Sequence, residues 1–365
     1  MTTVDPKTYY SRRIEALLIQ LATIRRREIY FSIVKIILVI AIVFTVLYYK
    51  AIGVYPFAGS LVLFLFFSYF HEKLIRIRKG HQVSVQIFET ELDVLNWNFK
   101  ALDNGHEFID TEHRYSDDLD LFGSGGLFQF LNRANTLMGK KRLASYLLEK
   151  SDGDDIRCRQ SAVSSLMGMS DFRNQIRIHG NQMTGESDRG KAFDRFFSSP
   201  IDFVRNRILQ IIIRVVPALT LAALVLAFYG LSFSWFMGLF LLQLAVNLFY
   251  TKRNSAIFNL SRKSHRVLRV YSKIFEEIEH TEFNEKTLSS LRQQLFVQKR
   301  RSSYYIRKLA VLLEWFELRN SSIHFFVNNI LFWDLNISSK IERWRSKVAD
   351  NINDNVYTIF RGATG

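Results

Sequence analysis

The run "ILQIIIRVVPALTLAALVLAFYG" from Ile208 to Gly230, followed at once by "LSFSWFMGLFLLQLAVNLFY" from Leu231 to Tyr250, decides how the whole chain is read. Each half has the ~20 mostly apolar residues that a helix needs to cross a bilayer core. The other reading, a buried helical hairpin inside a large soluble core, is weaker because both runs reach the spanning length. Working outward, the same design occurs earlier in the chain. "IYFSIVKIILVIAIVFTVLYY" covers Ile29 to Tyr49, and after Lys50 "AIGVYPFAGSLVLFLFFSYF" covers Ala51 to Phe70. So short a connection permits only an antiparallel return. Lys35 and Arg214 lie within two turns of a segment start, where a long side chain reaches back to the headgroups.

The composition agrees with a chain divided into apolar and polar blocks. Phe contributes 32 of 365 residues and 48% of the chain is hydrophobic, yet 23% is charged. Only 4 Pro and 17 Gly occur, and alternating Val/Ile/Thr runs are few, so helix is favoured over sheet nearly everywhere. The expected fold is all-α, with two transmembrane helical hairpins. A single cysteine, Cys158, excludes an intrachain disulfide and a Cys-based zinc site and fits a reducing compartment. It reads as a free core thiol.

Basic residues near membrane ends are retained on the cytoplasmic side. Arg25, Arg26 and Arg27 precede the first run; Lys73, Arg76, Arg78 and Lys79 follow the second. Arg205 and Arg207 precede the third, and Lys252 and Arg253 follow the fourth, whereas the turns hold only Lys50. Both termini and the region between the hairpins are therefore expected in the cytoplasm. The long charged region ahead of the first run, with a second run immediately after it, argues against a cleavable signal peptide. The expected order is a cytoplasmic N-terminal helix (1–28), a first hairpin (29–70), a cytoplasmic helical region (71–207), a second hairpin (208–250), basic cytoplasmic helices (251–350) and a divergent tail (351–365).

Phe88, Leu92, Leu95 and Phe99 recur at helical spacing and predict a helix that ends near Asp103–Gly105. Beyond Gly126, "GLFQFLNRAN" predicts a short helix burying Leu127, Phe128, Phe130 and Leu131. "TLMG" is read as a turn, and "KKRLASYLLEK" as a helix burying Leu143, Tyr146, Leu147 and Leu148. A third helix around "RCRQSAVSSLMGMSDFRNQI" places Ala162, Val163, Leu166 and Met169 on one face.

Leu119-Asp120-Leu121-Phe122-Gly123, Leu127 to Arg133 (with Phe128, Leu131 and Asn132), Thr136, Gly139, Arg142-Leu143, Tyr146-Leu147 and Arg159 to Val163 together resemble the start of the core or lever region of MutS-family proteins. The order and spacing match from Tyr115 to Gly180. Ala134 stands where the family usually has a threonine, and Tyr146 where a Trp often stands. The motif is one of packing and carries no catalytic chemistry. With hairpins before and inside this region, the layout looks like that of the membrane-anchored MutS-like proteins of bacteria. The resemblance implies a multi-pass protein of the bacterial cytoplasmic membrane, related to DNA mismatch repair. It also implies double-stranded DNA and a second copy of the chain (a homodimer) as partners beside membrane lipid.

In that family an ATPase domain follows the lever, and its loop must cradle phosphates, with a Lys on them and a Ser or Thr on magnesium. The nearest match, "GESDRGKA" at Gly185–Ala192, has Lys191 in place but ends in Ala192, which cannot ligate a metal. "GSGG" at Gly123–Gly126 reads as a turn that lets two helices pack rather than an anion site. The chain is expected to lack ATPase activity, with ATP and magnesium belonging to a domain missing from it, and no small-molecule substrate is evident. The family's mismatch-reading domain is also missing ahead of the lever. "FNE" at Phe283–Glu285 fits its Phe-x-Glu pattern but lies in the wrong region.

The remaining signal is charge, formally +15, concentrated after the fourth run. Lys252 to Lys273 are explained by topology. Lys299, Arg300, Arg301, Arg307 and Lys308 lie farther out and are candidates for contact with nucleic-acid phosphates or anionic lipid, against the plainer reading of a solvated helix face. Tyr304 and Tyr305 could stack on bases or belong to a core. The segment from Leu309 to Trp344 carries too many polar residues for a fifth span and reads as packed helices. No metal or acid/base constellation is legible: His71 lacks a second His at ligand spacing, His106, Glu107 and His113 lie in a loop, and the histidines read as surface residues.

Overall fold

The computed structural model describes residues 5–48, 54–182, 207–227, 229–230, 232–297, 300–316, 319 and 324–349. Within helices and strands, the side chains of 45–48, 54–58, 61, 252–264, 297, 300, 326 and 348–349 are outside that description. The regular elements among the described residues are helices apart from a two-residue antiparallel ladder, β1 (Phe296–Val297) with β2 (Arg300–Arg301). They form two compact units, 1–133 with 143–148, and 134–142 with 149–365.

In the first unit, α1 (Pro6–Tyr48) and α2 (Val54–Leu95) pack antiparallel along their length. Tyr10 meets Phe88 at 5.8 Å between ring centroids, and Phe31 meets Phe67 at 5.5 Å. At 43 and 42 residues, α1 carries the first apolar run and α2 the second, each joined to its polar flank without a break. At 1.5 Å per residue such helices measure about 63 Å, twice a bilayer core. In the apolar stretch the side chains face outward: Ile36, Ile37 and Ile40 on α1 and Val62, Leu65 and Phe66 on α2 are all at least half exposed.

α2 ends at Leu95, earlier than the periodicity of Phe88, Leu92, Leu95 and Phe99 predicts. Trp97 takes φ +60°, its N–H donates to the Val94 carbonyl (2.9 Å) and that of Asn98 to the Asp93 carbonyl (2.9 Å). That is the Schellman closure, here with Trp in the left-handed position that Gly usually fills. The chain then runs through a short 3-10 turn (His106–Phe108) to α3 (Leu127–Leu131) and α4 (Leu137–Leu148).

The second unit contains α5 (Gly153–Met167), α6 (Ser170–Gly180), α7 (Arg207–Ala227), α8 (Phe233–His280), α9 (Lys286–Gln294), α10 (Ser302–Trp315), α11 (His324–Leu331) and α12 (Trp333–Ala349). The single helix predicted around Arg157 to Ile176 is thus two, broken at Gly168–Met169. Among the described residues two helical segments are long and apolar enough to cross a membrane, Arg207–Ala227 and Phe233–Thr251. Only 28% and 11% of their apolar windows are buried, unlike core helices of a soluble protein. α8 continues past Thr251 for a total of 48 residues. Its far end joins the core of the unit: Leu268, Tyr271 and Phe275 pack with Leu309 and Leu313 of α10 and Ile341 and Trp344 of α12.

Candidate functional site

The MutS-like packing motif builds a small aromatic core in the first unit. Phe128 is fully buried, with the rings of Phe108 and Phe122 each 5.5 Å away. Leu121 is buried beside it, and its carbonyl accepts from the Phe128 N–H at 2.8 Å. Gly105 sits at φ +66°, and a Cβ there would lie 2.6 Å from the Phe128 ring, so both the turn and the approach require glycine. Gly123, at φ +96°, donates to the Asn104 carbonyl at 2.9 Å. Gln129 and Asn132 are buried polar residues tying α3 to the loop after α2. The Gln129 amide accepts from Gly125 N–H and donates to the Leu102 carbonyl, both at 2.8 Å, and Asn132 reaches toward the Asp103 carbonyl. The amides of Gly123, Gly125 and Gly126 are all committed to protein acceptors, as expected of a turn.

Several predicted burials do not hold. Leu127, Phe130 and Leu131 are exposed because α3 is only five residues long and buries the single face carrying Phe128 and Gln129, and Tyr146 of α4 is exposed too. Leu143, Leu147 and Leu148 are half-buried, and Ala144 is the buried residue of α4. "TLMG" is no turn either. The Thr136 hydroxyl accepts from Gly139 N–H at 3.1 Å, so Thr136 caps α4 and Leu137, Met138 and Gly139 form its first turn. A Cβ on Gly139 would stand 3.0 Å from Ala134 Cβ and from the Thr136 hydroxyl oxygen. Arg142 is exposed. Arg133 pairs bidentately with Glu91 (2.7 and 3.3 Å), fastening the motif to α2. At the end of α4 the Tyr115 hydroxyl donates to the Leu148 carbonyl at 2.7 Å. Ala162, Leu166 and Met169 are half-buried but Val163 is exposed, and Cys158 is exposed rather than a core thiol.

The basic candidates sit where α10 meets the last turns of α8. Lys299 and the Arg300 side chain lie outside the described residues, as do Lys191 and its loop. Arg301 donates to His280 Nε2, while His280 Nδ1 donates to the Glu276 carbonyl at 2.7 Å. Arg307 pairs with the Glu276 carboxylate, and Lys308 stands 5.9 Å from the centroid of the Tyr304 ring. Arg269 pairs with Glu314. Tyr304 is half exposed, and Tyr305 packs on the core. Beneath this surface the buried Glu279 carboxylate accepts from the backbone N–H of Ser303 (2.9 Å) and from its hydroxyl. It neutralises the positive end of α10, which has no side-chain cap of its own. Of the described basic candidates, Arg301 thus meets a histidine of α8, Arg307 a carboxylate of α8, and Lys308 a ring of its own helix.

The histidines are not all surface residues. His265 is buried, and Asp334, also buried, has one carboxylate oxygen 2.9 Å from His324 Nε2 and the other 3.7 Å from Arg319. His179 of α6 lies 3.5 Å from Glu277 of α8, and burial holds its pKa below the ordinary value against the pull of Glu277. Among the described residues no group of three or more His, Cys, Asp or Glu could hold a metal.

One polar constellation escapes the sequence reading. In the apolar part of α8, Gln243 and Asn247 are buried one turn apart. The Thr220 hydroxyl of α7 donates to Gln243 Oε1 at 3.1 Å, and Gln243 Nε2 donates to the Ile330 carbonyl at 3.1 Å. Asn247 Nδ2 donates to the Asn328 carbonyl (3.0 Å) and to Asn329 Oδ1 (2.9 Å). Below this ladder Leu209 and Ile213 of α7 pack on Phe332 and Leu335. The signal was an i, i+4 pair of amides within a long apolar run, since polar groups in that setting require partners.

Comparison of the chain with models of known protein families, with curated proteins and with solved structures finds no match.

Proposed function

We propose that this chain is a membrane-anchored, MutS-related helical scaffold of the bacterial cytoplasmic membrane, with its termini and both polar helical regions on the cytoplasmic face. The observation that supports it best is α8, one unbroken helix that is apolar and outward-facing at one end and part of a packed core at the other. Such a helix joins the hairpin rigidly to the polar helices. The MutS part of the reading rests on the Tyr115–Gly180 motif. On that reading the polar helices hold duplex DNA or a protein partner at the membrane, and this chain turns over no ATP.

A second reading, a scaffold that binds lipid or protein and never DNA, is favoured by the ion pair of Arg307 with Glu276, which leaves less free charge for phosphates. Duplex titration of the full chain in nanodiscs over a salt series separates the two. Binding whose log–log salt slope falls by about 0.9 for each cation neutralised among Lys299, Arg300, Arg301 and Lys308 supports DNA contact. No duplex binding at low salt gives the field to the second reading.

The exposed Cys158, alone of its kind, reports topology without engineering. A membrane-impermeant maleimide should label it in inverted vesicles and not in intact spheroplasts. Labelling in spheroplasts would overturn the orientation. Magnesium-dependent ATP turnover by the purified chain, abolished by Lys191→Ala, would overturn the absence of ATPase activity.

A further inference from the structure

The groove between α1 and α2 opens into a cavity of about 1060 Å³ at the point where the polar flank of α1 gives way to its apolar run. We propose that this cavity is a site for the phosphate headgroup of an anionic phospholipid. The inference rests on the reading of α1 and α2 as a membrane hairpin.

Three guanidiniums line the cavity, Arg25, Arg26 and Arg78, against the single carboxylate of Glu28, a balance of three minus one, or +2. Glu28 is committed to Arg78, whose Nε donates to it at 2.9 Å. Arg25 and Arg26 have no carboxylate partner among the described residues, and the Glu28 bond leaves the terminal nitrogens of Arg78 available. Farther along the groove a polar rung crosses between the helices. Lys35 Nζ donates to His71 Nδ1 at 2.6 Å, and His71 Nε2 lies 3.5 Å from the Ser32 hydroxyl, which donates to the Glu28 carbonyl.

The apolar side of the cavity identifies the ligand as a lipid rather than a free anion. Ile29 and Ile33 line it and lead onto the exposed Ile36, Ile37 and Ile40. These residues form a track about 15 Å long from Arg25 toward Lys35 and beyond. A phosphodiester can therefore rest on the arginines while its acyl chain lies along the isoleucines. Basic pockets between membrane helices on the cytoplasmic side take anionic headgroups in this way.

The test uses the full chain in a mild detergent, titrated with phosphatidylglycerol and with phosphatidylcholine, with bound lipid counted by native mass spectrometry. The expected result is one retained phosphatidylglycerol, preferred at least about tenfold over phosphatidylcholine and not displaced by millimolar inorganic phosphate. Arg25→Gln with Arg26→Gln should weaken it roughly 25-fold, at about fivefold per cation. Arg25→Lys with Arg26→Lys should keep most of the affinity, and Lys7→Gln with Arg12→Gln, the same charge loss at the far end of α1, should leave it unchanged.

Equal retention of the two lipids would overturn the proposal, as would equal weakening by both Gln pairs. Displacement by inorganic phosphate would show an anion site with no lipid specificity and would overturn it too. A helical circular-dichroism spectrum unchanged across the variants separates loss of the site from loss of the fold. Failure of the membrane reading would appear differently, as a chain that stays soluble and monodisperse once detergent is removed.

Discussion

The two hairpins look alike in sequence and are built differently. α1 and α2 pack on each other, and their apolar stretches expose isoleucine and phenylalanine. α7 and α8 have α11 and α12 laid against them, with amides of α8 holding carbonyls of the α11 segment and Phe332 and Leu335 seated on α7. Among the described residues only the second pair carries segments long and apolar enough to cross a membrane, and only that pair has further helices laid on one of its faces. The difference teaches that an apolar run specifies a solvent, whereas the sparse polar residues within it specify a neighbour.

The comparison breaks most readily at Phe332. It is fully buried in the cluster with Leu209, Ile213 and Leu335, so Phe332→Ala should cost about 3–5 kcal/mol in the second unit. Differential unfolding in nanodiscs should show that loss while the first unit melts as before; a change below about 1 kcal/mol would mean that the α7–α12 contact contributes little. Next in size is Gln243→Leu, which strands the Ile330 carbonyl and should cost about 1–3 kcal/mol. A neutral result would indicate that lipid or water satisfies that carbonyl as well as the amide does.

A smaller effect is expected at His179. Burial lowers its pKa below about 6.5, so the neutral ring is the form the fold prefers. Its contribution is complete above the unfolded value and is lost as pH falls toward the folded one, with Lys273, Glu276 and Glu277 as the charges facing it. Acidification from about pH 7.5 to about 5.5 should therefore lower the melting temperature of the second unit, and His179→Gln should flatten that dependence. An unchanged slope in the variant would assign the acid sensitivity elsewhere. The smallest effect is the counterpart in the first hairpin: Ile37→Val, on an exposed face, should stay within about 0.5 kcal/mol in the same nanodisc assay. A larger loss would show that this face is covered.

Helix identity was legible from run length and from scarce Gly and Pro, because those signals are local. Helix ends were less so. α2 stops at a Schellman turn with Trp97 in the left-handed position, which no composition rule anticipates, while the conspicuous Asp103–Gly105 drew the predicted end too far. The start of α4 was legible and misread: Thr136 is an ordinary N-cap, and its hydroxyl makes the bond that the residue type predicts. The break at Gly168–Met169 had a glycine to mark it. What no local pattern could give is partnership across the chain, such as Arg307 with Glu276, or Asn247 with the Asn328 carbonyl 81 residues away. The basic cluster was visible as charge, but the pairing of Arg307 with Glu276 depends on which helices pack.

That separation of 81 residues between Asn247 and its acceptor also sets a clock. A ribosome adding roughly 5–20 residues per second needs about 4–16 s to make the distance. During that interval the rest of α8 is still being made, and the amide nitrogens of Gln243 and Asn247 have no α11 carbonyl to meet. On the membrane reading, the second hairpin therefore enters the bilayer with its polar side still open and is completed from the cytoplasmic side by a segment synthesised later. Biogenesis of this half of the protein is then a two-step event, insertion followed by closure, and a chain interrupted before residue 328 would be inserted but left unsealed.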